Sequence, residues 1–143
     1  MLVDANILLF AVDDSSPFHA AAAEWIVEQL NGSRRVGLPW QVLGAFLSIA
    51  TNPRAAEHPL SPDEAWAQVD EWLSADVAWI PGPTERHADV LRSLVLSHQL
   101  RGNLVSDAQL AALAVEHGLT IYSGDTDFAR FREVEWENPL TPR

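Results

Sequence analysis

Apolar residues in this chain come in short runs, separated by longer stretches in which they recur every three or four positions. That pattern predicts strands alternating with helices. Leu2 and Val3 form a short buried strand that runs into Asp4, and residues 7–12 stay apolar as a short helix or turn ending at Asp13-Asp14. Ser16 then offers an N-cap and Pro17 suits the first helical position. Ala22, Trp25, Ile26 and Leu30 follow at helical spacing until Asn31-Gly32 stops the helix. Residues 34–38 read as the next strand. Pro39 begins a helix whose apolar face is Val42, Leu43, Phe46, Leu47 and residues 49–50. It ends near Thr51-Asn52-Pro53, because the residue before proline disfavours helix.

Residues 53–60 read as a loop. Ser61, Pro62 and Glu64 form a capping-box signature ahead of Ala65, Trp66, Val69, Trp72 and Leu73. A strand over 77–80 is closed by Pro81-Gly82-Pro83, and Thr84 caps a helix with the stripe His87, Val90, Leu91, Leu94 and Val95. After the turn Arg101-Gly102-Asn103, Ser106 and Gln109 read as a second capping box, with Asp107 in the first turn of a helix over 108–116 that Gly118 ends. A strand over 119–122, the acidic turn Ser123-Gly124-Asp125-Thr126-Asp127, a helical turn over 128–131 and a strand over 134–136 complete the chain. The alternation, without repeat or linker, predicts one α/β domain over residues 1–143 with a parallel sheet covered on both faces.

Composition narrows the chemistry. There is no cysteine, hence no disulfide framework, thiolate nucleophile or cysteine-ligated zinc. The apolar runs fall far below membrane-spanning length, and no basic region precedes an apolar segment at the amino terminus, so a cytoplasmic protein without membrane contact is expected. Nine basic against 20 acidic residues give a net charge of −11, which argues against broad non-specific nucleic-acid binding but suits a basic protein partner. All the basic residues are Arg. The lack of Lys excludes a P-loop lysine and a Schiff base, and disfavours a phospho-receiver.

Ligands of open α/β sheets gather outside the carboxyl ends of the strands. Asp4 ends a strand, Asp125 follows one with Asp127 close by, and Asp107 opens a helix whose entry loop faces the same rim. Crowded carboxylates repel one another unless a hard, oxygen-seeking cation such as magnesium or manganese resolves the repulsion. Each residue also has a plainer reading. Asp107 is favoured by the helix dipole, Asp125 and Asp127 by turn hydrogen bonding, and Asp127 by capping the turn at Phe128. Asp4 is the hardest to explain so, since Asp is depleted beside buried strands. Asn6 is read as capping the next turn, with ligand orientation the alternative. The five His residues form no pair at useful spacing, and no glycine-rich phosphate loop or G-x-S-x-G elbow occurs. Arg54, Arg101, Arg130 and Arg132 are candidate phosphate contacts.

Three blocks, Met1-Leu2-Val3-Asp4-Ala5-Asn6, Asn103-Leu104-Val105-Ser106-Asp107-Ala108 and Ser123-Gly124-Asp125-Thr126-Asp127-Phe128, resemble the signature blocks of the PIN domain in order and place. Length and start resemble VapC-type toxins of bacterial toxin–antitoxin pairs, and the resemblance covers essentially the whole chain. It implies a three-layer α/β/α sandwich with a central, mainly parallel sheet, and a metal-dependent endoribonuclease. By the same resemblance Asp4, Asp107 and Asp125 hold Mg2+ or Mn2+, with Asp127 a fourth catalytic carboxylate, and hydrolysis leaves a 5′-phosphate and a 3′-hydroxyl on RNA. A homodimer and a cognate VapB-type antitoxin, whose tail fills the site, are implied too. Such families usually carry a Glu on the helix after the second strand, where this chain has Ala45, and no carboxylate lies between Pro39 and Glu57. A catalytically silent PIN-like binding module is therefore the alternative.

Overall fold

The computed structural model describes residues 1–141. Its five strands are β1 (Leu2–Val3), β2 (Val36–Gly37), β3 (Ala78–Trp79), β4 (Ile121–Tyr122) and β5 (Trp136–Glu137). They form one sheet in the order β3-β2-β1-β4-β5, and every pairing is parallel. Leu2 and Val3, with no exposed surface, occupy its centre. Gly37 is needed where β2 meets β1, because a Cβ there would lie 3.0 Å from the Met1 carbonyl oxygen and 3.1 Å from Pro81 Cγ.

The helices are α1 (Ala5–Val12), α2 (His19–Leu30), α3 (Trp40–Ala50), α4 (Pro62–Leu73), α5 (His87–His98) and α6 (Leu104–His117). Connections from β1 through β2 to β3 run towards one edge of the sheet, and the return from β3 to β4 runs towards the other. Right-handed crossovers then put α1 to α4 on one face and α5 and α6 on the opposite face. The packing agrees: α1 meets α2 and α3, α3 meets α4, and α5 pairs with α6. The result is a three-layer α/β/α sandwich. Among the described residues no helix is long and apolar enough to cross a membrane.

Several boundaries follow the sequence closely. Ser61 and Glu64 close a reciprocal capping box with bonds of 3.1 and 3.0 Å, Pro39 caps α3, and Gly118 ends α6 at φ +65°. Others shift. Helix α2 starts at His19, and Ser16 instead accepts from Phe18 N at 3.1 Å in a turn containing Pro17. Thr84 lies ahead of α5, where its hydroxyl accepts from Arg86 N and donates to Glu116. The second capping box does not form. Helix α6 begins at Leu104, because Leu104 and Val105 pack against the core as its first turn rather than leading up to a cap at Ser106. Asp107 is accordingly the fourth helical residue.

Candidate active site

Strand β1 stands where the chain's course through the sheet reverses, and Asp4 leaves its carboxyl end. This is the switch-point crevice where open α/β sheets bind ligands. Asp4 is the N-cap of α1, with φ −81° and ψ 157°, and its Oδ1 accepts from Ala5 N at 2.8 Å. Its Oδ2 accepts from Ser123 Oγ at 2.8 Å and Asn6 Nδ2 at 3.2 Å. Burial pushes the Asp4 carboxyl above its ordinary pKa and Asp125 adds to the rise, while the bonds from Ser123 and Ala5 oppose it.

Ser123 and Asn6 are the residues sequence reasoning undervalued. Ser123, with no exposed surface, also accepts from Asn6 Nδ2 and from Asp125 N, each at 3.0 Å. Asn6 Oδ1 accepts from Gly124 N at 3.1 Å. Asn6 is therefore not the cap of a turn, since Asp4 takes that role. It ties the first acidic block to the third. The signal was present, because Asn6 sits two residues from Asp4 and Ser123 two from Asp125.

The other carboxylates arrive on separate elements. Asp125 is the N-cap of a 3₁₀ turn, Thr126–Arg130, and accepts from Asp127 N at 2.8 Å. It, and not Asp127, caps that turn. One carboxylate oxygen from each of Asp107, Asp125 and Asp127 lies within 4.8 Å of the others. Asp4 stands outside that trio, yet it lines a hollow of about 250 Å³ with Asp107, Gln41, Ala45, Ser106 and Gln109. Ala45 thus lies beside both Asp4 and Asp107.

Electrostatics sharpen the picture. The Asp107 carboxyl is pushed up to about 6, first by burial and then by the charges of Asp125, Asp4 and Asp127, against a smaller pull from Arg130. Arg130 also pairs with Asp127 at 3.6 Å. The donor set is all oxygen and the carboxylates repel one another, which fits a hard divalent cation and not a soft one.

Four of the five histidines serve the scaffold. His87 Nδ1 meets Glu116 Oε2 at 2.6 Å, and His98 Nε2 meets Glu133 Oε1 at 2.8 Å. His19 and His117 bond the carbonyls of Phe10 and Gly82. The two His–Glu pairs span 29 and 35 residues, so no local spacing could announce them.

The PIN domain family model matches residues 1–134. Ribonuclease VapC37 of Mycobacterium tuberculosis is 44% identical over 138 residues, 96% of this chain and 96% of that protein. Ribonuclease VapC33 of the same organism is 39% identical over 140 residues, 98% of each. Among solved structures, the VapC20 sarcin-ricin loop cleaving toxin of M. tuberculosis superimposes with a TM-score of 0.66 at 20% identity, covering 94% of this chain and 98% of its own. VapBC2 from Rickettsia felis, bound to a promoter DNA fragment, gives 0.66 at 16% identity, covering 96% of both. At these identities the two structures show likeness of fold.

Proposed function

The chain belongs to the PIN domain family, and on that premise we propose that it is a metal-dependent endoribonuclease, the toxin of a toxin–antitoxin pair. The observation that carries this reading is the arrival of four aspartates, from three separate parts of the chain, at one end of the sheet. Near-full-length similarity to ribonucleases of the VapC group supports it.

In this reading Asp107, Asp125 and Asp127 hold Mg2+ or Mn2+ together with Asp4, whose direction is fixed by Ser123 and Asn6. When bound, the cation supplies neutralisation of phosphate charge and a more acidic water. Water adds to phosphorus in line, the bond to the ribose 3′-oxygen breaks, and that oxygen takes a proton. The products are a 5′-phosphate and a 3′-hydroxyl. Asp107, whose carboxyl is pushed up to about 6, would hold the cation in its ionised form, so a proton would compete with the cation below that pH. Arg130 stands where it can counter charge on the bound strand.

A net charge of −11 matches a basic antitoxin segment entering this crevice, and a homodimer belongs to the same reading through the family resemblance alone. Ala45 favours a second reading, a catalytically silent module, because it withholds one carboxylate from the hollow shared by Asp4 and Asp107. Incubating the purified chain, freed of partner, with total RNA in Mn2+, Mg2+ or EDTA separates the two. Discrete cuts that require the cation support the nuclease. Intact RNA together with no detectable cation binding supports the module.

A further inference from the structure

Beside the acidic hollow lies a second one of different character. It measures about 300 Å³, at the small end of ligand sites, and its lining includes Pro39, Trp40, Gln41, Pro83, His87 and Gln109. Gln41 and Gln109 line both hollows, so the two adjoin. The second contains no carboxylate and no arginine. It is shaped for a neutral group joined to whatever occupies the first.

Three features show what that group is. Trp40 remains 52% exposed, although Trp66 stacks on it with ring centroids 6.4 Å apart and planes 16° from parallel. An exposed, braced indole at the rim of a charged crevice is a stacking platform. Gln41 Nε2 donates to the Ser106 carbonyl at 2.9 Å, which anchors that side chain and leaves its carbonyl oxygen as an acceptor. Gln109 is exposed, and its amide offers donors and an acceptor together.

His87 is the third feature. The Glu116 side chain has no exposed surface and accepts from Thr84 N, Thr84 Oγ1 and His87 Nδ1. Burial pushes its carboxyl up, but those bonds outweigh it and hold the group below its usual range. The ring of His87 is therefore fixed with its proton on Nδ1. Among the described residues its Nε2 has no hydrogen-bond partner, on a side chain 23% exposed.

A flat aromatic surface, two amides and a fixed imidazole are the groups that recognise an unstacked nucleobase of single-stranded RNA. We propose that this hollow is a nucleobase subsite that seats the base next to the scissile phosphate, an inference that rests on the nuclease reading. Trp40 stacks on the base, and Gln41 and Gln109 read its edge. His87 bonds the base or the ribose 2′-hydroxyl. The subsite makes cleavage depend on the identity of one flanking base.

The test is nuclear magnetic resonance of the full-length protein in EDTA, titrated with adenosine, cytidine or uridine, with ribose as control. The Trp40 indole signal is identified by its loss in Trp40→Phe. At least one nucleoside should shift both the Trp40 indole and the His87 imidazole signals saturably, ribose should shift neither, and Gln109→Ala should weaken the response. In RNA cleavage Trp40→Ala should lower kcat/KM by roughly 5- to 150-fold, as expected for the loss of one stacked base, and Trp40→Phe should restore most of it. Nucleoside binding by a protein that cuts no RNA would keep the subsite and remove the nuclease reading. Cleavage with unchanged rate and base preference in Trp40→Ala, or no nucleoside response, overturns the subsite alone. If Trp40→Ala instead splits an oligomer while nucleosides leave His87 unmoved, the face belongs to a second copy of the chain and the proposal falls.

Discussion

Ser123 Oγ donates to Asp4 Oδ2 at 2.8 Å, joining the residues that leave the two central strands β1 and β4. The same hydroxyl accepts from Asn6 Nδ2 and Asp125 N, so its loss unsettles three groups at once. Ser123→Ala is expected to destabilise the protein by about 1–3 kcal/mol, the range for a buried partner left unsatisfied. With one bond fewer holding Asp4 ionised, half-maximal activity should require more Mn2+. Thermal melting and a Mn2+ titration of activity check both effects, and an unchanged pair of values would remove Ser123 from the account.

The raised Asp107 carboxyl has a consequence for stability. Its folded pKa, about 6, exceeds the usual 3.8, so the folded chain binds this proton more tightly than the unfolded chain. Ionised Asp107 therefore opposes folding above about pH 6, and the penalty fades as pH falls through the window from 6 to 4. Asp107→Asn should melt higher than wild type in EDTA at pH 8. Asp107 is partly exposed, so the gain is on the order of 1 kcal/mol, or about 2–4 °C. At pH 4 the two melting curves should coincide.

Cation and proton compete for the same carboxylates. Saturating Mn2+ at about 100 times its Kd should stabilise the wild type by about 2.7 kcal/mol near pH 7.5. The increment should shrink below pH 6, where Asp107 takes up its proton. Melting at pH 7.5 and pH 5, with and without EDTA, reads this directly. An increment equal at both pH values would place the cation away from Asp107.

Much of this was legible in the chain. The order of strands and helices, the capping box at Ser61 and the three acidic blocks all rest on local chemistry, which a sequence displays. The helix expected over 108–116 begins at Leu104, because Leu104 and Val105 form a first turn packed against the core, and that packing is tertiary rather than local. Asn6 was read locally as a cap, whereas its partners Ser123 and Gly124 lie 117 and 118 residues away. The hydrogen-bonded positioning of Asp4 is a product of the parallel β1–β4 pairing, and no spacing encodes it.

Ala45 offers a gain-of-function test. It lines the hollow with Asp4 and Asp107, so Ala45→Glu brings a further carboxylate to the cation. The Mn2+ concentration for half-maximal thermal shift should fall on the order of tenfold, since affinity follows ligand charge. Without cation the variant should melt lower than wild type, because another negative charge joins the cluster. A variant with unaltered Mn2+ response would show that position 45 does not reach the centre.

The central claim is that four aspartates act as one cation-dependent nuclease centre. Cleavage of a defined RNA by wild type and by Asp4→Asn, Asp107→Asn, Asp125→Asn and Asp127→Asn, each verified as folded by circular dichroism, tests it most directly. The account predicts Mn2+-dependent cuts with 5′-phosphate ends in wild type, and losses on the order of 100-fold or more for Asp4→Asn, Asp107→Asn and Asp125→Asn, with Asp127→Asn also impaired. Undiminished cleavage by Asp4→Asn or Asp107→Asn would contradict it.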